Sequence, residues 1–367
     1  MNTPNQSLPR PSAWRVPYWV TLLNGPQTLG RGRIFWGGFF ATVLCAALFP
    51  AFVDGWTTGN TAYFLCWVFM ALGLSLIWGY SGALSFGQTA FFGIAGYGYG
   101  VVTLNFGAEY GMTFGALFMA VGASCIAAAV LGYVIFYGRI SGVFLGIVTL
   151  STTLVLHAFM AQTAGSQWAI GDARLGGHNG MTGMPPLTIP WPGMDIMLYS
   201  GVGLYYLLLV MVIVCYLALR ILVNSRFGNV LVAIRENPHR AEMLGYDIRR
   251  YQLIAFIIGS GLAGLSGALY TAWGQYISPS SMGLAAAALP IVWVAVGGRK
   301  DLTATLIGTL AVLAVFQNLT IFGSYYALIL MGILLVIVVL FLPQGLIPGL
   351  VQLVDNYRDR AGKGRVS

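Results

Sequence analysis

The arginines and lysines of this chain lie on one side of a series of apolar runs, and this limits its fold more than any other feature. Ten runs divide it: Ile34–Val53, Tyr63–Gly79, Leu84–Leu104, Met112–Tyr137, Val143–Thr163, Asp195–Val223, Tyr251–Trp273, Leu284–Gly297, Leu302–Leu319 and Tyr325–Leu342. With a cytoplasmic N-terminus, 17 of the 18 Lys and Arg fall at the cytoplasmic side: Arg10, Arg15, Arg31, Arg33, Arg139, Arg220, Arg226, Arg235, Arg240, Arg249, Arg250, Arg299, Lys300, Arg358, Arg360, Lys363 and Arg365. Only Arg174 falls outside. That is the positive-inside asymmetry of a multi-pass membrane protein. It predicts an all-α polytopic bundle of about ten spans with both termini cytoplasmic. The expected divisions are a tail over 1–33, a transmembrane domain over 34–342 and a second cytoplasmic tail over 343–367.

Composition excludes a soluble globule, because 58% hydrophobic and 8% charged residues cannot cover one with polar surface. Runs near 20 residues match a hydrocarbon core about 30 Å thick. The eighth run is short enough to be re-entrant, which is tolerated only where protein or water lines it. The net charge of +8 follows from topology and does not imply nucleic-acid binding. Cys45, Cys66, Cys125 and Cys215 all fall inside runs, as small packing residues rather than a disulfide or metal set. Residues 1–33 are polar, proline-bearing and basic, with no cleaved signal evident, and are expected to be mobile or to lie on the membrane surface.

Two connecting segments stand out. The outer one, Ala164–Met194, carries Gly165, Gly171, Gly176, Gly177, Gly180 and Gly183, then Pro185, Pro186, Pro190 and Pro192, which is turn chemistry. The inner one, Asn224–Arg250, is the longest polar stretch between runs. It predicts one or two short helices along the cytoplasmic face, broken at Asn237-Pro238 and capped by Gly245. A solvated interfacial connector is the plainer reading. Arg235, Glu236, Arg240 and Glu242 framing Ala241 and Gly245 favour a docking surface, because a lipid anchor is more uniformly basic.

The spans hold almost no ionisable group. His157 is the only one well inside, and reads as a packing or pathway residue rather than a proton relay. Asp195 sits at an outer end, and the buried coupling acids usual in gradient-driven carriers are absent from the interiors of the runs. There is also no G-x-x-x-x-G-K-[ST] phosphate loop, so a nucleotide drive requires a separate ATPase subunit. Gly93, Gly96, Gly98 and Gly100 in the third run, and Gly259, Gly261, Gly264 and Gly267 in the seventh, are expected at tight helix crossings, with a conduit between thin helices as the compatible alternative. In Trp78–Thr89, polar Ser85, Gln88 and Thr89 sit within an apolar stretch. Burying Gln88 costs about 1–3 kcal/mol unless it is paired, so it either pairs with a neighbouring helix or faces an aqueous path. With His157, these three form the candidate translocation path.

The stretch GYSGALSFGQTAFFGIAGYGYG from Gly79, LGGHNGMTGMPP (Leu175–Pro186), the block Ser225–Tyr270 and LFLPQGL (Leu340–Leu346) resemble the permeases of branched-chain amino acid ABC importers, the Liv type, and their M subunit in particular. The urea-importer C-type permease is a close relative. The resemblance covers most of Leu74–Leu346 and is most specific in Ser225–Tyr270. It implies a second homologous permease, two cytoplasmic ABC ATPases, a periplasmic substrate-binding protein and a bacterial inner-membrane location, with membrane lipid around the spans. It also implies ATPase contact at Arg235, Glu236, Asn237, Pro238, Arg240, Ala241, Glu242, Leu244 and Gly245, where AEMLG is similar to the EAA-type loop of importers. Met243 stands where a smaller residue is frequent. Gly297–Asp301 departs from the longer Gly-rich pattern of many relatives.

The expected function is a permease subunit of an ATP-driven importer of a small polar solute, branched-chain amino acids first and urea or short amides next. No catalytic residue, cofactor or metal ligand is expected. An autonomous secondary transporter is the reading from another class, followed by a channel or an interaction-only membrane subunit.

Overall fold

A backbone in hydrocarbon must satisfy its own N–H and C=O groups, so long apolar runs cross as helices. In the computed structural model, residues 18–110, 113–191, 194–199, 201–320, 323–341 and 345–349 are described, and the runs within them become helices. In chain order these are α1 (Tyr18–Leu23), α2 (Gly32–Phe52), α3 (Gly55–Leu74), α4 (Gln88–Tyr110), α5 (Thr113–Tyr137), α6 (Val143–Ala161), α7 (Val202–Asn224), α8 (Arg226–Glu236), α9 (Pro238–Met243), α10 (Ile248–Gly274), α11 (Leu284–Gly297), α12 (Leu302–Thr320) and α13 (Ser324–Phe341). A π-helical turn, Ser75–Tyr80, extends α3. Among the described residues seven helices are long and apolar enough to cross a membrane: α2, α3 with its π turn, α5, α6, α7, α10 and α12. The 23-residue α4, the 14-residue α11 and α13 lie outside that number. The result is an all-α polytopic membrane bundle. The ends of the chain, with Arg10, Arg15, Arg358, Arg360, Lys363 and Arg365, lie outside the described residues.

Two predicted spans start late. Leu84–Gly87 is not helical, and α4 begins at Gln88. Met194–Leu198 is not the start of the sixth span but a strand, β5 below, and α7 begins at Val202. In both places apolar side chains run on past the helix end, so composition alone continues the helix where the backbone does not.

At the centre stands α10, packed on α3, α4 and α5. Its glycines allow the close approach that joins helices in lipid. A methyl group at Gly259 would lie 2.6 Å from Gly73 O, one at Gly261 2.8 Å from Cys125 Sγ, and one at Gly267 would collide with Phe92 O. Hydroxyl and indole donors add cross-links: Ser124 Oγ to Ser260 O at 3.1 Å, Ser266 Oγ to Cys66 O at 2.7 Å, and Trp273 Nε1 to Gly59 O at 3.0 Å. The tight crossings expected of the seventh run are therefore present.

The glycines of α4 do something else besides. Gly98 faces Ala120 of α5, and a methyl at Gly96 would come within 3.3 Å of Gly267 O of α10, so part of the expected tight crossing is present here too. A methyl at Gly93 would strike Met282, at Gly96 Ile277, at Gly100 Met181 and Met184, and at Gly107 Pro185 Cγ at 3.0 Å. These partners belong to two connecting segments stitched together. Within the outer segment, β1 (Ala169–Ile170) pairs with β2 (Ala173–Arg174), and β4 (Leu187–Trp191) with β5 (Met194–Leu198). Between segments, β3 (Met181–Thr182) pairs antiparallel with β6 (Tyr276–Ile277). The following 3₁₀ turn, Pro279–Met282, ends with Met282 wholly buried. From Gly107 to Gly93 is about 21 Å along α4 at 1.5 Å per residue. The connector thus re-enters the bundle, and α11 starts from its floor, which is why α11 is short.

The LGGHNG motif makes this possible. Its 3₁₀ turn, Gly177–Asn179, ends at Gly180, whose φ of +77° suits glycine and whose missing Cβ leaves room for Ile277 O.

At the opposite end, the described part of the N-terminal tail is tied down rather than free. Arg220 of α7, fully buried, donates to Leu23 O at 2.6 Å, Gly30 O at 2.5 Å and Tyr216 Oη at 2.8 Å, and its guanidinium lies 4.4 Å over the Phe35 ring. Asn224 Oδ1 accepts from Gln27 N at 3.0 Å. Asp301 accepts from Leu29 N and, at 2.8 Å, from Ala304 N. Burial pushes the Asp301 carboxyl above its ordinary range, against those two N–H groups and the nearby Arg220 charge, which pull it down.

Candidate functional site

Two places gather the residues singled out in the sequence. The first is the end of the bundle that carries α8 and α9. Apolar Val230, Ile234, Ala241 and Ile248 form a small cluster of their own, with Tyr251 packed against it. It holds α8 and α9 together as one unit on the start of α10. Asn237 caps α9, its side chain accepting from Arg240 N at 3.0 Å, and Pro238 takes the first helical position. Gly245, at φ +86°, ends α9: Tyr246 N donates to Ala241 O at 3.2 Å and Gly245 N to Glu242 O at 2.9 Å. This pair of bonds is the Schellman cap, which glycine allows. Asp247 then caps α10 through Arg250 N. Two short helices and the Gly245 cap are thus present as the sequence led us to expect.

The side chains point differently from the sequence-based expectation. Ala241 is 1% exposed and faces the small cluster, so it is not part of an outward surface. A helix of six residues has an inner face, and Ala241 is on it. Arg235 also turns inward. Its Nη1 donates to Gly79 O at 2.5 Å, and its Nη2 pairs with Glu236 Oε1 at 2.7 Å. What the unit presents outward is Met243, 87% exposed, Leu244, 75% exposed, and half-open Tyr246, flanked by exposed His239, Arg240 and Glu242. Met243 and Tyr246, exposed beside Leu244, were not among the residues singled out in the sequence. Their signal was the apolar pair at the end of a polar helix, beside a glycine cap.

Arg235 links this unit to the membrane core. Gly79 sits in the π turn, where Ser75 Oγ donates to Arg299 O at 3.2 Å. A methyl on Gly79 would collide with Arg299 O, so this turn and the Gly298–Asp301 turn fit only because residue 79 is glycine. Trp78, Gly79, Gly82, Arg235, Glu236, Arg299 and Lys300 line an open polar cleft of about 290 Å³. Lys300 Nζ lies 3.9 Å from Glu236, and Arg235 and Lys300 together hold the Glu236 carboxyl below its ordinary range. Gly297–Asp301, which had no assigned role, is where α11, α12, α3 and α8 meet.

The second place is the seam between α4 and α6. Phe86 N donates to Thr149 Oγ1 at 3.1 Å, and Thr153 Oγ1 donates to Phe86 O at 3.3 Å. The non-helical Leu84–Gly87 is thereby stapled to α6. Ser85 Oγ accepts from Gly87 N at 3.1 Å, so Ser85 holds its own turn and lies in a connection rather than inside a span. Gln88 is 1% exposed, and neither amide atom has a partner among the described residues; nor has Thr89 Oγ1. His157 continues the Thr149–Thr153 row at i+4 spacing and faces the re-entrant turn, its Nε2 4.0 Å from where a Cβ on Gly283 would stand. Phe86 is thus the residue held against α6, His157 lies further along that helix beside Gly283, and Gln88 and Thr89 are buried at the start of α4 without polar partners among the described residues.

Residues 57–339 match the family described as branched-chain amino acid transport system / permease component. The chain belongs to that family. It is therefore a membrane transport component rather than a member of an enzyme class. It is 25% identical over 330 residues to the high-affinity branched-chain amino acid transport system permease protein LivM of Escherichia coli K12, covering 84% of this chain and 74% of that protein. The Salmonella typhimurium LivM is 24% identical over the same shares. A probable branched-chain amino acid transport permease protein LivH of Methanocaldococcus jannaschii is 29% identical over 116 residues, 31% of this chain and 36% of that one. No solved structure matches. The resemblance read from Gly79–Gly100, Leu175–Pro186 and Ser225–Tyr270 is borne out at the level of the family.

Proposed function

We propose that this chain is the M-type permease subunit of an ATP-driven importer that carries branched-chain amino acids across a bacterial inner membrane. The observation that carries this reading is the family match over most of the chain, bundle and α8–α9 unit included. Its partners are a second homologous permease, two cytoplasmic ABC ATPases and a periplasmic binding protein. The α8–α9 end is cytoplasmic, a reading the Lys/Arg asymmetry supports, and the stitched connectors face the periplasm. Single cysteines at His178 and Met243 test this orientation: an impermeant reagent added outside labels the first and not the second, and the reverse pattern overturns it.

The α8–α9 unit is the docking knob for the ATPases. Met243 and Leu244 supply an apolar anchor, and Arg240 and Glu242 form a polar rim, the arrangement of a protein–protein contact. Asn237, Pro238 and Gly245 set its shape. Movement of the knob reaches the spans by two routes: through the Asp247 cap into α10, and through Arg235 and Glu236 to Gly79 and the π turn. Ser85, Gln88, Thr89 and His157 line the solute path, with the buried and unpartnered Gln88 amide as its polar group.

The test is Leu244→Asp in the full assembly. The subunit inserts normally, and ATP-driven uptake falls more than tenfold, because a carboxylate in a desolvated contact lacks a partner. Ala241→Asp, in contrast, lowers the amount of folded subunit, because it buries a charge in the α8–α9 cluster. Full uptake and ATPase stimulation by the Leu244 variant would remove the knob from the ATPase contact.

A further inference from the structure

The open polar cleft beside the π turn holds two cations that the route from the knob to the spans does not use. Its walls come from three elements: Trp78 and Gly79 in the π turn, Arg235 and Glu236 at the end of α8, and Arg299 and Lys300 between α11 and α12. Three cations against one carboxylate leave it a net charge of +2. Asp301, the next residue along, does not neutralise it. That side chain is buried, and its carboxylate accepts from Leu29 N and Ala304 N.

The three cations are not equivalent. Arg235 is fully engaged: Nη1 is on Gly79 O, and Nε and Nη2 lie 3.0 and 2.7 Å from Glu236 Oε1. The Arg299 guanidinium lies 5.0 Å over the Trp78 ring, and no hydrogen bond or ion pair engages it among the described residues. Lys300 Nζ is 3.9 Å from Glu236, beyond hydrogen-bond distance. A guanidinium stacked on a ring keeps its N–H edge for a bidentate acceptor. The turn that carries this pair is fixed. Gly298 O accepts from Asp301 N and Thr305 Oγ1, each at 3.2 Å, and Arg299 O accepts from Ser75 Oγ at 3.2 Å.

Charge separates the oxygen ligands that such a pair could hold. A single carboxylate would leave the cleft positive. A phosphate monoester carries about −1.5 to −2 charges at pH 7 and offers three acceptor oxygens. At about 290 Å³ the cleft also has room for the group that bears the phosphate. Its place in the fold bears on the source. Helix α3, which leads into the cleft, is packed by α7, α10, α11 and α12, so the cleft lies under the middle of the bundle rather than at its lipid-facing rim. A free ligand reaches that position directly, whereas a headgroup would have to leave its leaflet.

We propose that this cleft binds inorganic phosphate or a free phosphate monoester, with Arg299 and Lys300 as its donors. Bound there, the ligand bridges α8 to the α11–α12 turn and so bears on the position of the knob. The site does not depend on which solute the chain carries.

The chain has two lysines, Lys300 and Lys363, so amine labelling reads the site against an internal control. The full-length subunit in phosphatidylcholine nanodiscs, which expose both faces, is treated with an acetylating N-hydroxysuccinimide ester, and both peptides are quantified by mass spectrometry. Inorganic phosphate should slow labelling of Lys300, by about tenfold at roughly ten times the half-protecting concentration, and leave Lys363 unchanged. Chloride at matched ionic strength should not protect. Arg299→Gln should remove the protection, and Arg226→Gln, an exposed cation at the far end of α8, should keep it. The proposal is overturned if phosphate fails to slow Lys300 in the wild-type chain, or slows both lysines alike. It is overturned too if acetate protects as well as phosphate, which would make the cleft a carboxylate site for an acidic side chain of a partner. Protection by phosphatidic acid in the nanodisc, with none from free phosphate, would overturn the free source and assign the cleft to a headgroup.

Discussion

Helices α10 and α4 are both threaded with glycine, yet their glycines meet different things. Those of α10 meet mainly the main chain and short side chains of neighbouring helices: Gly259 faces Gly73 O, Gly264 faces Ser124, and Gly267 faces Phe92 O. Those of α4 mostly meet the ends of long side chains from the re-entrant connectors, with Gly93 against Met282 and Gly100 against Met181 and Met184. A helix crossing sealed by backbone cannot yield without moving a helix. A seam sealed by methionine yields by rotating thioether side chains, which have three soft torsions. The same residue type thus builds a fixed joint on α10 and an adjustable one on α4.

The largest effect that separates the two is expected at Gly267. Gly267→Ala forces Cβ onto Phe92 O and should destabilise the bundle by on the order of 3 kcal/mol, at the upper end of overpacking costs. Unfolding in mixed detergent micelles measures it, and a change under about 0.5 kcal/mol would mean that α4 and α10 are not in backbone contact. The smaller effect is at Gly100. Gly100→Ala meets Met181 Sδ and Met184 Cε, atoms near the ends of flexible side chains, and the gain in helix propensity offsets part of the strain. The same assay should register less than ~1.5 kcal/mol. Equal losses at the two positions would erase the distinction.

This contrast could not be read from the sequence. Glycines at Gly93, Gly96 and Gly100 carry the same small-residue signal as Gly259 and Gly267, and nothing local says whether a helix or a loop lies opposite. The spans were legible because hydrocarbon leaves an apolar run few alternatives. The starts of α4 and α7 were not, because Leu84 and Phe86, or Ile196 and Met197, are as apolar as the helices they precede. The short helices α8 and α9, their break at Asn237-Pro238 and the Gly245 cap were legible from turn and cap chemistry. The inward face of Ala241 was not, since a helix of six residues is too short for its periodicity to fix which side is buried, and neither was the inward turn of Arg235, whose acceptor Gly79 O is a backbone group 156 residues away. Arg220 shows the same limit. It obeys the charge asymmetry that marks the end of a span, and it also clamps the segment Leu23–Gly30.

The seam and the knob matter only if ATP, acting through other subunits, moves solute along this chain. The most direct test is leucine uptake into liposomes holding this subunit, its partner permease, both ATPases and the binding protein. The account expects uptake that requires ATP, stops when this subunit alone is omitted, and is not restored by a sodium or proton gradient. Gradient-driven uptake by this chain in the absence of the ATPases would contradict it.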